Sequence, residues 1–296
     1  MLLFSVKELA GRGRGLVASQ TIRKGSVALE DTAFAAVLNH GRAADDHCSF
    51  CFAPAADAAD GGHCSAACKE NSFASHDRLL DKCDLGQLGD GASRYPRLIA
   101  RMTAAALLTG PKFNDYWSMV LSLAAPNTRA HTHLEAEFDA LQRAFEPAIG
   151  ADATETIFAG PLPLEWYARL IGILHVNSIG MGQRDLGVQV ADMNSASQLA
   201  VLQQKAAKNP DIGVGLFPTA SLLNHSCEPN CEMFRSFSKH SPTCVFVAAR
   251  HIEEGEELTI SYLPDVGTKP VHERKEYLEY NYGFQCECPL CQSTTT

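Results

Sequence analysis

The sequence has no uninterrupted apolar run near the roughly 18 to 20 residues that a membrane-spanning helix needs, so no such span is expected. Met1 to Lys7 show no basic start leading into a long apolar stretch, so a secretory leader is not expected either. Basic excess is missing too: 25 Lys plus Arg stand against 34 Asp plus Glu, a formal charge of -9. That balance excludes coating nucleic acid by bulk charge and would draw a cationic ligand, such as a lysine-rich peptide, inward. No internal repeat is visible. Hydrophobic residues at 46% and charged residues at 20% of 296 are an ordinary globular balance, with enough chain for a substantial core. The expectation is a soluble monomer of the nucleus or cytoplasm.

Cysteine is plentiful. There are eleven, an odd number, and most fall in tight groups: Cys48 with Cys51, Cys64 with Cys68, and Cys286, Cys288 and Cys291 together. Without a secretory leader, clustered thiols point to metal ligation rather than to disulfides. Zinc takes four thiolates tetrahedrally at about 2.3 Å, and cysteines at such short spacings let one loop supply two of them. Cys83, Cys231 and Cys244 lack comparable neighbours and are expected to be reduced and structural.

The chain changes texture along its length. Residues 1–46 alternate apolar and polar with Gly11, Gly13, Gly15 and Gly25 between, which predicts short strands and tight turns. Residues 47–83 hold five cysteines and too few aliphatics for a core, a metal-stapled module. Three- and four-residue apolar spacing predicts helices over Tyr95–Leu108, Asp115–Leu123, Leu134–Phe145 and Leu164–Val176. Strands are predicted at Val214–Phe217, Cys244–Ala249 and Glu257–Tyr262, and a charged helix from Pro270 to near Gly283. Residues 53–62 read as a flexible loop and 292–296 as a loose tail.

Four words carry chemistry: GRGRGL (Gly11–Leu16), NHSCEPNC (Asn224–Cys231), GEELTISY (Gly255–Tyr262) and YGFQCECPLC (Tyr282–Cys291). The first has no GK[ST] after it and does not open a helix as GxGxxG does, so a phosphate loop is not indicated. In this order and spacing the four words resemble the SET-domain protein lysine methyltransferases. The CxxC and CxxxC module after the first strands narrows the resemblance to the SET-and-MYND-domain family, over essentially the whole chain.

The resemblance implies an α+β fold: a strand-rich SET core split by a small MYND-like zinc module and a helical insert, closed by a zinc-bound post-SET tail. The implied segments are 1–46 (SET, first part), 47–83 (zinc module), 84–180 (helical insert), 181–265 (SET core) and 266–296 (post-SET). The implied activity is methylation of a lysine side chain in a protein substrate, histone tail or non-histone, with S-adenosyl-L-methionine as donor. Such an in-line displacement needs donor and amine aligned, water excluded, and a deprotonated lysine, whose free pKa is about 10.4.

By the same resemblance, Arg12, Gly13, Arg14, Asn177, Ser221, Asn224, His225 and Phe284 hold the cofactor, Arg12 with a guanidinium fork suited to a carboxylate. Tyr262 is the catalytic tyrosine, its hydroxyl facing the transferring methyl, and it contacts cofactor and substrate alike. Tyr282 walls the lysine channel, and Ile179 stands where the family commonly has a phenylalanine. Two zinc sites are implied. Cys48, Cys51, Cys64 and Cys68 form one; Cys227 completes Cys286, Cys288 and Cys291 in the other. Of a second MYND site only His76 remains, with Leu80 where a cysteine should stand; Cys83, His47 and His63 are the residues that could rebuild it. Residues 182–208 are extra and read as a surface excursion. With five residues after Cys291, the helical-repeat domain common in the family is not expected, and the peptide cleft should be open. The alternative is a non-catalytic SET/MYND scaffold for protein partners; a third reading is methylation of a non-protein amine.

Overall fold

Two glycines with positive φ, Gly11 at 70° and Gly13 at 65°, turn the chain back on itself at its start, a conformation in which a Cβ would be strained. They join β1 (Phe4–Leu9) to β2 (Gly13–Ala18) as an antiparallel hairpin. The computed structural model describes residues 2–39, 46–55, 62–89, 95–109, 113–125, 133–182, 211–238, 241–263 and 269–293. The extra segment expected at 182–208 therefore lies, beyond Gly182, outside the described residues, as do parts of the expected loop and tail.

Three further sheets follow. β3 (Val27–Thr32), β4 (Ala35–Leu38), β5 (Ser178–Gly182) and β6 (Asp211–Leu216) are joined by β7 (Asn224–His225), β8 (Cys231–Ser238), β9 (Ser241–Ala248) and β10 (Thr259–Ile260). β9 lies between β3 and β8, β6 lies between β4 and β5, and both trios are antiparallel. β7 and β10 pair in parallel, Asn224 beside Thr259 and His225 beside Ile260. The strand expected over Glu257–Tyr262 is shorter than predicted. The segment changes partners along its length: Glu257 bridges to Val17 and Leu258 donates to the Leu16 carbonyl at 2.8 Å, before β10 turns to β7. Neither ladder can extend, and Tyr262 falls just past the strand.

The helical insert consists of α2 (Tyr95–Thr109), α3 (Phe113–Leu121), α4 (Leu134–Ile149), α5 (Ala151–Ala159) and α6 (Leu164–Asn177). In α4, Leu134, Phe138, Leu141 and Phe145 share one face, which meets Phe158 of α5 and Tyr167 of α6 at ring separations of 5.8 to 6.1 Å. Helix α5 was not anticipated; Gly150, at φ 86°, ends α4 and lets the chain restart without a linker. Helix α1 (Ala66–Ser72), capped by the Ser65 side chain on the Cys68 amide, was likewise not anticipated in the zinc module. A π-helical segment, Phe73–Asp77, and a last turn, Arg78–Leu80, continue it. Helix α7 (Val271–Tyr282) starts after Pro270 and stops at Gly283, left-handed at φ 76°; α8 (Pro289–Gln292) closes the tail. No helix among the described residues is long and apolar enough to cross a membrane.

The β4–β6–β5 sheet separates two cores by strand alternation. Val37, Val214 and Leu216 face the helices, with Leu98, Met102 and Leu174, while Ala36 faces the strand core, with Leu16, Phe246 and Leu258; Ile212 joins that second core at the irregularity where the β5–β6 register shifts. Phe52 of the zinc module is fully buried in that second core. Its ring occupies the space that a Cβ at Gly213 would take, at 2.6 Å. A phenylalanine buried this way stabilises by about 1.5–3 kcal/mol, which anchors a module too small to hold itself. Arg101 of α2 adds a brace, donating from Nη1 to the carbonyls of Ala36 at 2.6 Å and Ser49 at 3.0 Å.

Candidate active site and metal centres

A cavity of about 720 Å³ opens between the β1–β2 turn, the end of α6, the segment 221–225, Tyr262 and the tail after α7. Its size suits a ligand of nucleoside dimensions. Gly15 lets β2 pack close behind the wall, since a Cβ there would stand 2.9 Å from Asn224 Nδ2 and 3.0 Å from Glu257 Oε1. Arg12, Gly13, Arg14, Asn177, Ser221, Asn224, His225, Tyr262, Tyr282 and Phe284, all expected at the site, border this cavity. Ile179 does not. It pairs with Gly215 in the sheet and packs against the strand core, because alternation along β5 turns it that way.

Polar contacts order the wall. Glu257, which sequence reasoning passed over inside GEELTISY, accepts from Arg12 Nε at 2.9 Å and from Asn224 Nδ2 at 2.8 Å. Arg12 Nη2 donates to the His225 carbonyl at 3.0 Å. One carboxylate thus orients a cation and an amide that the sequence keeps far apart. Arg14 reaches the end of α3 and donates to the Ser122 carbonyl. Arg169 donates to Leu121 O at 2.6 Å and Asn177 to Ala124 O at 2.7 Å, so three carbonyls at and just past the end of α3 find donors. The half-buried carboxylate of Asp31, also missed, accepts from the Ala220 amide at 2.8 Å and holds the turn carrying Ser221.

Tyr262 stands where the cavity meets a group of aromatic rings. Its centroid is 4.7 Å from that of Tyr282 and 6.3 Å from that of Phe284; Tyr277, which sequence reasoning also missed, lies 6.5 Å behind Tyr282. Its hydroxyl donates to the Leu223 carbonyl at 2.7 Å. Burial raises the phenol above its usual range, so it stays neutral and keeps its proton for that bond. The Tyr262 amide donates to His225 Nδ1 at 3.0 Å. Burial, and after it the charges of Arg12 and Arg274, bring the His225 pKa down to about 4, so the ring is neutral near pH 7.

Both expected cysteine sets assemble. The sulfurs of Cys48, Cys51, Cys64 and Cys68 lie within 4.8 Å of one another, as do those of Cys227, Cys286, Cys288 and Cys291. Individual separations of 3.5 Å (Cys51–Cys64), 3.6 Å (Cys64–Cys68) and 3.5 Å (Cys227–Cys291) approach the edge of about 3.8 Å in a zinc tetrathiolate. The donor set therefore fits zinc. Each set also contains a thiol that ionises early. The Cys51 thiol lowers the pKa of Cys48, with backbone N–H groups assisting against burial. Burial raises Cys288, but the amides of Cys291 and Cys227 outweigh it and bring it to about 7.

The residues considered for a third site go elsewhere. Cys83 donates to the Leu79 carbonyl at 3.4 Å at the edge of the helical core. His47 bridges through its backbone to Pro54. His63 and His76 approach the two oxygens of Asp77, at 3.6 and 3.4 Å, and Ser72 donates to the same carboxylate. Among the described residues these groups do not join in a third cluster of metal-ligating atoms. Elemental analysis of tag-free protein is expected to find two zinc ions per chain; three would mean that His63 and His76 still ligate.

His76 also makes a pH prediction. It is buried, stacks on Phe50, and borders a second cavity of about 370 Å³ away from the first. Burial, with Arg101 and His63 adding, lowers its pKa to about 2. An unfolded histidine titrates near 6.5. Between those values the unfolded chain binds a proton that the folded chain cannot, so stability is full above about pH 6.5 and falls as pH drops. At pH 5.5 this amounts to about 1.4 kcal/mol. Urea unfolding at pH 7.5 and 5.5 should show that increment shrinking in His76→Gln; an equal increment would place its source elsewhere.

A family model described as SET domain matches residues 13–263. The chain belongs to the SET-domain family. Among its relatives, the histone-lysine N-methyltransferase SMYD3 of Mus musculus is 46% identical over 87 residues, 29% of this chain and 19% of that protein. A SET and MYND domain-containing protein of Dictyostelium discoideum is 26% identical over 242 residues, 77% of this chain and 63% of that one. This SET chain thus matches a fifth of the first relative's length and under two thirds of the second's. The solved SET domain of LSMT, bound to lysine and AdoHcy, aligns at TM-score 0.47 and 13% identity over 96% of this chain and 53% of that one.

Proposed function

We propose that this SET chain methylates the side-chain amine of a lysine in a protein substrate, using S-adenosyl-L-methionine. One observation carries the reading: Tyr262, its hydroxyl 2.7 Å from the Leu223 carbonyl, lines the same cavity as Asn224, His225 and the Tyr282 ring. Relatives named histone-lysine and protein-lysine N-methyltransferases support it.

When bound, the cofactor supplies an electrophilic methyl group on a sulfonium. Asn224, His225, Ser221 and Phe284 would hold it. Arg12, whose Nε and Nη2 are engaged by Glu257 and the His225 carbonyl, keeps Nη1 for a carboxylate. The Tyr262 and Leu223 oxygens present negative potential to a carbon gaining positive charge. The Tyr282 and Tyr262 rings shield a lysine amine from water and favour its neutral form by desolvation. The formal charge of -9 draws basic peptides toward the chain. Histone tails and non-histone proteins both meet these requirements, in nucleus or cytoplasm, and a monomer suffices.

Tritiated S-adenosylmethionine, incubated with histones and with a proteome extract, is expected to label protein lysines. Absence of labelling, with no calorimetric binding of the cofactor, would leave the scaffold reading instead.

A further inference from the structure

The two nitrogens of the His225 ring face different parts of the molecule. Nδ1 lies 3.0 Å from the Tyr262 amide nitrogen, and Nε2 lies 3.3 Å from the Cys227 sulfur. A backbone N–H can only donate, so Nδ1 accepts and carries no proton. The ring proton then sits on Nε2 and points at the sulfur. A cysteine sulfur accepts such an N–H, and most strongly as the thiolate, the form in which cysteine binds metal.

We propose that His225 is a positioning residue that ties the tail metal site to Tyr262: Nε2–H holds the Cys227 thiolate while Nδ1 holds the Tyr262 backbone. A second side chain supports a charged cluster. Arg274 is only 6% exposed, its Nη1 donates to Lys269 O at 2.8 Å, and its Nη2 reaches Cys291 Sγ at 3.8 Å. Among the described residues its Nε has no partner, and a buried guanidinium needs a counter-charge, which thiolates in this cluster would provide. Metal loading and placement of the tyrosine thereby share one imidazole. Describing Tyr262 as catalytic rests on the proposed methylation; the imidazole link itself does not.

The test uses the full chain loaded with ¹¹³Cd and labelled with ¹⁵N-histidine. Nuclear magnetic resonance should show His225 protonated at Nε2, with scalar coupling from that proton to cadmium through Cys227. His225→Asn keeps an acceptor for the Tyr262 amide but cannot reach the sulfur; its tail metal should pass to a chelator ~10-fold faster or more. His225→Gln keeps a donor near the sulfur and should hold metal at close to the unmodified rate, while the Tyr262 amide exchanges with deuterium faster. A proton on Nδ1, absence of the coupling, or unmodified metal retention in His225→Asn overturns the proposal. The spectrum of the unmodified chain decides the matter even if a variant misfolds. No readout involves methyl transfer, so an inactive enzyme with an intact coupling would overturn only the proposed function.

Discussion

Tyr262→Phe is expected to lower methyl transfer by ~100-fold or more while fold and cofactor affinity change little. The substitution deletes one hydroxyl and leaves the ring, which still packs 4.7 Å from Tyr282, so the aromatic wall survives. It removes the donor to the Leu223 carbonyl, a loss of about 1 kcal/mol in stability by the usual worth of such a bond. The rate suffers more because the hydroxyl acts on charge that develops only during transfer, and a missing group of that kind weakens the transition state alone. Single-turnover transfer, together with calorimetric binding of the cofactor, separates the two effects. Wild-type turnover in the variant would remove Tyr262 from the chemistry.

Cys227→Ser should abolish activity while leaving most of the chain folded. Its sulfur lies 3.5 Å from Cys291 and 3.9 Å from Cys286, and it joins β7 to a tail 59 or more residues away. A serine hydroxyl is a poor zinc ligand at neutral pH, so the set falls to three thiolates and the tail metal is lost. Tyr282, Phe284 and the buried Arg274 then come away from the cavity together. The helical and strand cores draw on none of these residues and should keep their thermal transition. Zinc content is expected to drop from two to one. An active variant with both metals would show that Cys227 does not tie the tail.

Local patterns made much of this legible. Apolar residues at three- and four-residue spacing marked four of the insert helices, because a helix must turn one stripe inward to be stable. Cys48 with Cys51, and Cys286 with Cys288 and Cys291, announced metal because thiols so close in the chain must be close in space. Helix α5 escaped because Pro147 and Gly150 interrupt the apolar pattern, although Pro147 lies inside α4 and Gly150 joins the two helices with no spacer. Helix α1 escaped because metal, rather than an apolar stripe, holds its module together.

The sequence by itself determined the ligand types, the helical faces and the glycine turn, since each depends on residues a few positions apart. Its resemblance to a family added Cys227 to the tail cysteines and Tyr262 to the chemistry. Tertiary structure decided what each group faces. Arg12 meets Glu257 across 245 positions, Arg14 turns to Ser122 across 108, and Ile179 turns into the strand core. No local spacing encodes such pairs. They arise when burial forces polar groups that have left water to find partners, and which partners lie within reach depends on how the strands and helices have packed.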